Sequence, residues 1–306
     1  MPTRLVPMLL VLSLAGACAT ERSAPPPYTE SARHPAIEPA PAAEPEIARP
    51  PLEDLAAWDA AGSEERAAIA VEIAQLMPEV ALEEMRTFEC GSQRHEIAVF
   101  RHKATGIEMC LVPGGVGTCG CHDDDEDQPS HPVRTSPFLV ARTELTSATW
   151  SRVAGAAPPD ADRDAPVVAC YDEIAAFCAK AGLQMPSPAQ WEHAARSGSK
   201  SRFCFGDDSA AGVEYGWLLD NSGKRLHDVA AKPCNAFGLF DVIGNAREWC
   251  RPVSDAEPER EARGSSYDRR ASACTRRVPS GCTSSRFGFR PVLALRVVAG
   301  EVATRQ

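Results

Sequence analysis

Positive charge is in short supply in this chain: 32 lysines and arginines stand against 42 aspartates and glutamates, a net charge of −10 over 306 residues. That balance excludes a nucleic-acid partner, which a protein meets with a basic face. Long apolar runs are also missing. The run from Leu5 to Leu14 is shorter than the roughly 20 residues a spanning helix needs. The seven histidines form no His-Glu-x-x-His pair, and no Gly-Lys-Ser/Thr phosphate loop occurs, so the hydrolytic zinc helix and the nucleotide loop are excluded.

The sequence begins with Arg4, an apolar run and then small residues before Cys18, the layout of a secretory signal over residues 1–17. Ala15-Gly16-Ala17-Cys18 is similar to a bacterial lipobox, with Leu14 one place earlier than usual, and predicts Cys18 as the lipid-bearing first residue of the mature chain. Such a chain is exported to the bacterial cell envelope and held to a membrane by its N-terminal lipid. Removing Cys18 from the twelve cysteines leaves eleven. In an oxidising compartment this implies disulfides with at least one thiol left over, and connectivity stays open.

Residues 18–51 are rich in Ala, Pro and Glu and lack apolar periodicity, so they predict a disordered tether. Residues 52–88 predict one or two helices: Ile69, Ile73, Leu76, Met77 and Val80 recur at helical spacing, with Ser63-Glu64-Glu65-Arg66 as a start and Pro78 as a stop. Docking of this apolar stripe on the main domain is expected. The main domain is placed at 89–298, before a tail at 299–306. Ile97–Phe100 and Glu108–Val112 read as a hairpin around Ala104-Thr105-Gly106, and Phe138–Arg142 as a further strand. Ile174, Phe177, Cys178 and Ala181 share a helix face ended by Gly182. Ser187-Pro188-Ala189-Gln190 announces a second helix through a capping box, with Trp191, Ala194 and Ala195 inward.

Cys119, Cys121 and His122 offer soft-metal ligands, and Asp123–Asp127 offers oxygens for calcium. The competing reading is disulfides beside a solvated acidic loop. No second Cys/His cluster lies at zinc-finger spacing. The most informative stretch is Asn235–Cys250, NAFGLFDVIGNAREWC. Gly238 and Gly244 permit turns that a Cβ would penalise, and Asp241 and Glu248 are positioned to meet around one cation.

Together several stretches resemble the sulfatase-modifying-factor family, whose domain generates formylglycine. They are Glu108–Gly115, Thr143–Thr146, Pro166–Val168, Met185–Arg196, Asn235–Cys250, Arg263–Ser266 and Gly288–Arg290, in the family's order. The resemblance implies an α+β, C-type-lectin-like fold with short antiparallel strands, two main helices and much irregular structure. It also implies a calcium site formed by the Asp241 and Glu248 side chains with the Gly244 and Ala246 carbonyls. A second family calcium site would start at Asn221 and Ser222, where the downstream acidic partner falls in a shortened segment.

Family oxidases bind Cu(I) through two cysteines after Arg-Gly-Gly-Ser-Trp and oxidise a substrate cysteine. Alignment on Arg263-Gly264-Ser265-Ser266 puts those positions at Arg269 and Cys274, with Ser266 at the adjoining catalytic position. Arginine supplies no ligand and repels a cation, so copper is not expected. Tyr267 and Arg247 replace family tryptophans. Cys274 and Cys282 form a disulfide more readily than a copper pair in an oxidising compartment. Arg276, Arg277, Arg286 and Arg290 make this region locally basic, and Arg290 is read as pairing with the domain's own carboxylates. The family's sulfoxide synthases use histidines from an added helical domain, and residues 52–88 contain none. The expectation is a non-catalytic binding or scaffold module for a protein or peptide ligand. The alternative is a divergent formylglycine-generating oxidase using Cys274 and a second ligand outside the family pattern.

Overall fold

The computed structural model describes residues 50–120, 131–155, 162–252, 260–271, 276–278 and 287–295. Residues 18–49 of the expected tether, Cys18 among them, the 121–130 acidic run, Cys274, Cys282 and Arg286 lie outside these residues, and the last two tether positions, 50 and 51, open a 3-10 helix, Pro50–Glu53. The fold is α+β, and its centre is an antiparallel sheet in the order β1-β2-β3-β6-β10. Its strands are Val80–Cys90, Gln93–His102, Glu108–Val112, Phe138–Ala141 and Val292–Ala294. Met109, Cys110, Leu111 and Val112 in β3, and all four residues of β6, are buried. Continuous apolar runs therefore occupy the middle of the sheet, where both faces are covered. The expected hairpin joins β2 to β3, with Phe100 opposite Met109.

β1 departs from expectation. Residues 80–88, read as part of a helical segment, form the edge strand of this sheet, with Phe88 opposite His95 and a bulge between Leu82 and Glu84. Exposed glutamates blunt the edge against pairing with another chain. Of the one or two helices expected ahead of it, two form, α1 (Leu55–Ala60) and α2 (Ser63–Leu76). Asp54 caps α1 by accepting from the Ala56 and Ala57 amides. Both helices dock on the sheet. Trp58 is fully buried and donates its indole N–H to the Glu96 carbonyl at 2.9 Å, while Ile69, Ala70 and Ile73 of α2 enter the core. The His95 ring nitrogens face the Asp59 carboxylate at 2.9 Å and the Ser197 carbonyl at 3.1 Å.

Beyond the sheet, α3 (Ser147–Ala154) and α4 (Tyr171–Ala181) pack together, with Trp150 stacked on Phe177. Gly182 ends α4 in the left-handed conformation, as its position implied. α5 (Pro188–Arg196) carries the expected capping box between Ser187 and Gln190. A short helix α6 (Gly212–Tyr215) follows. Strands β4 (Gly115–Cys119) and β5 (His131–Thr135) pair as a ribbon. β7 (Glu248–Cys250), β8 (Arg260–Arg263) and β9 (Arg276–Val278) form a second sheet next to the 235–250 stretch. The eight described cysteines are free thiols.

Candidate functional site

The stretch 235–250 is shaped by backbone contacts that only glycine permits. A Cβ on Gly244, whose φ is +90°, would stand 2.2 Å from the Trp217 carbonyl oxygen, and one on Gly216 would stand 1.6 Å from that of Ile243. The segments 216–217 and 243–244 therefore interlock main chain to main chain. Asn235 fixes the start of the loop. Its side-chain oxygen accepts from the Phe237 and Leu239 amides, and its nitrogen donates to the Ala194 and Ala195 carbonyls. Those carbonyls belong to the last turn of α5, which has no partners within the helix for them.

Three carboxylates and one guanidinium gather beneath the loop, and all are buried: Glu144 0%, Asp241 2%, Glu248 1% and Arg290 1% exposed. Arg290 donates to both Glu248 oxygens, the shortest contact 2.6 Å, as the sequence reading held for this arginine. Trp191 Nε1 adds a third donor to Glu248 at 2.8 Å. Glu144 accepts from the Ala246 amide and the Asn245 side chain, both at 2.8 Å. Asp241 accepts from the Ala230 amide at 2.7 Å through one oxygen, while its other oxygen is buried with no hydrogen-bond partner.

Burial dominates the protonation of this group. It raises the Asp241 carboxyl from the usual 3.8 to about 6, against the opposing pull of the Ala230 N–H and Arg290. Burial raises Glu144 well above the usual range, and the charges on Asp241 and Glu248 push the same way. Burial thus favours the neutral, protonated forms of Asp241 and Glu144, the state a bound hard cation would reverse by stabilising their charged forms. The residues meet the expected calcium set only in part. Asp241 presents an unsatisfied oxygen at a left-handed backbone position (φ +55°). Glu248 is already engaged by Arg290 and Trp191, so the two acids are not presented as a free pair. Among the described residues no three His, Cys, Asp or Glu side chains converge as metal ligands. Asn221, where a second calcium site was considered, spends its carboxamide on the Leu218 amide and the Val213 and Gly216 carbonyls.

Ser266 and Arg269, which the resemblance aligns with family catalytic positions, lie on the turn after β8. Arg263, opposite Glu248 in the β7–β8 pairing just ahead of Gly264, is buried and ion-paired to Glu192 at 2.6 Å. Ser266, nearly buried, donates its hydroxyl to Asp268 at 2.6 Å. The Tyr267 amide donates to the Asn245 carbonyl, so this turn is tied to the 235–250 loop. Arg269 is exposed; its amide donates to the Ser266 carbonyl and its own carbonyl accepts from Leu219. The position that carries the first copper thiolate in the resemblance thus holds an exposed guanidinium on a pinned backbone. Glu144 is the participant the sequence reading left without a role, although Thr143-Glu144-Leu145-Thr146 marked its position.

A family model described as "Sulfatase-modifying factor enzyme 1-like domain" matches residues 96–295, more than half of the chain, and the chain belongs to this family. A formylglycine-generating enzyme of Mycobacterium tuberculosis is 33% identical over 121 residues, covering 34% of this chain and 40% of that protein. The formylglycine-generating enzyme of Thermomonospora curvata is 30% identical over 132 residues, 39% and 43% of the two chains. A bovine protein named "Inactive C-alpha-formylglycine-generating enzyme 2" is 29% identical over 109 residues, 32% and 36% of the two. The chain therefore spans less than half the length of these relatives. Among solved structures, Treponema denticola variable protein 1 superposes with a TM-score of 0.53 at 21% identity, covering 69% of this chain and 99% of that one. PvdO from Pseudomonas aeruginosa superposes with the same TM-score and identity, covering 63% and 97%. These likenesses establish the fold.

Proposed function

We propose that this chain is a non-catalytic member of its family, an exported and lipid-anchored module that binds a protein or peptide ligand. The observation that carries the reading is Arg269. On the alignment of Arg263-Gly264-Ser265-Ser266 with the family motif, a guanidinium takes the place where copper(I) would need a soft thiolate, and it would oppose the metal by charge as well as by chemistry. A fold retained without its site residues does not retain the activity. The family matches include both proteins named as generating enzymes and one named inactive.

Titration of the purified mature chain with Cu(I), with dioxygen consumption followed on a cysteine-containing peptide, tests this. No stoichiometric copper and no turnover are expected. Copper binding and turnover that both vanish in Cys274→Ala would establish the divergent oxidase instead.

Calcium is carried into this reading on Asp241, whose second oxygen is buried without a hydrogen-bond partner and would be satisfied by a bound cation. In this role it stiffens the 235–250 loop and takes part in no reaction. The lipid anchor rests on Cys18 and the residues before it. A Cys18→Ser chain is expected to move from the membrane fraction to the soluble fraction. Unchanged membrane retention would remove the anchor from the proposal.

A further inference from the structure

Export places the cysteines in an oxidising compartment, and two of them already meet. Cys90 closes the β1–β2 hairpin opposite Gln93. Cys204 sits in the Phe203–Gly206 turn, where the Phe203 and Gly206 amides each donate to the other's carbonyl at 3.0 and 3.3 Å. The two thiols adjoin each other closely enough to interact, and each residue is 4% exposed.

Both supports are stiff. Gly91, at φ +59°, brings the hairpin tip so close that a Cβ there would stand 2.9 Å from the Cys204 carbonyl oxygen and 3.1 Å from Phe205. On the other side Phe205 is stacked between Phe203 and Tyr215, with ring centroids 5.0 and 4.5 Å away. Cys90 and Cys204 are thus brought side by side by two tight turns whose main chains are in direct contact.

We propose that Cys90 and Cys204 are disulfide partners, a cross-link that fastens the N-terminal hairpin to the domain. The interaction with Cys204 holds the Cys90 thiol below its usual value, while the same interaction together with burial raises Cys204. Cys90 is accordingly the attacking sulfur. Its thiolate attacks the disulfide of oxidised glutathione or of a protein disulfide oxidant, displacing one thiolate. Cys204 sulfur then attacks the Cys90 sulfur of the mixed disulfide and displaces the second. One S–S bond breaks and one forms, two thiols are oxidised, the oxidant is reduced to two thiols, and the protons of Cys90 and Cys204 pass to those thiols. The bond closes a loop of about 115 residues, from Cys90 to Cys204, a length at which a cross-link strongly restricts the unfolded chain.

The compartment rests on the export reading, but the pairing rests on geometry, and the experiment separates them. The reduced, folded full-length chain is equilibrated with oxidised glutathione, free thiols are alkylated in acid-quenched denaturant, and linked peptides are identified by mass spectrometry. A Cys90–Cys204 linked peptide is expected as the main product, with a rise in melting temperature that Cys204→Ser abolishes. Cys204→Ser also keeps the cross-link out of reach while leaving Cys90 available for alkylation. Linkage of Cys90 mainly to Cys234 or another cysteine, or both thiols still alkylated after equilibration, overturns the proposal. The state of the pair in chain taken from cells reports separately on export: a pair that links in vitro and is found reduced in cells counts against the compartment and leaves the pairing standing.

Discussion

Glu248 and Arg290, forty-two residues apart in sequence, form an ion pair at 2.6 Å with each side chain 1% exposed. A buried pair of this kind resists loss of one partner far more than loss of both, because a lone buried charge keeps its full desolvation cost. Arg290→Met is expected to cost about 3–5 kcal/mol in urea unfolding, since it leaves Glu248 with Trp191 as its remaining donor. The double variant Glu248→Gln, Arg290→Met should recover a substantial part of that loss. Strict additivity of the two single changes would show that the pair is not coupled.

Chelation gives the second prediction. If a cation sits at Asp241, a chelator should lower the melting temperature of the wild type and leave Asp241→Ala nearly unaffected. The sign follows from linkage. With no cation, the unfolded Asp241 loses its proton near 3.8 and the folded one at about 6, so its destabilising effect is absent in acid, grows between those values and is full above them. A bound cation opposes that effect most at neutral pH. Identical wild-type melts with and without chelator at pH 7 would eliminate calcium from this loop.

A third prediction concerns His193, whose Nε2 donates to the Pro113 carbonyl at 3.0 Å. Burial lowers its pKa below the usual 6.5. On acidification the unfolded chain takes up the proton first, so stability from this residue is lost as pH falls below 6.5, until the folded form also protonates. Gln in its place keeps a donor without the titration. The wild type's lead over His193→Gln in denaturant melts should therefore narrow between pH 7.5 and 5.5. A lead that is constant or widens would contradict the assignment.

The sequence was most readable where local chemistry decides the structure. Ser187 and Gln190 announce α5 through a capping box, and Gly182 marks a helix end that requires the left-handed conformation. β1 was hidden for a physical reason. VALEEMRTFEC contains the helix formers Ala, Leu, Glu and Met, and as an edge strand it buries only Val80, Phe88 and Cys90, so no clean alternation is visible. Pairing with β2, a tertiary effect, overrides the local preference.

The site divides in the same way. Arg290 could be assigned to a carboxylate from the acidity of its surroundings, but which carboxylate was settled only when β7 and the segment 288–292 came together in space. Asp241 and Glu248 read as equals in the sequence, and the fold separates them by giving one of them a guanidinium. Glu144 joins from a hundred residues away, a distance over which no spacing rule operates.

The docked helices at the N-terminal side also set where this protein can be cut. The family match opens at Glu96, yet that residue's carbonyl holds Trp58, its carboxylate receives Arg66 at 2.7 Å, and Leu52 ahead of them is wholly enclosed. A fragment begun at the family's boundary would lose the outer strand and both helices, uncovering the β2 edge and the apolar surface they shield. Anyone isolating the domain for binding studies needs to start upstream of Leu52, because the working unit of this protein is larger than the segment that names its family.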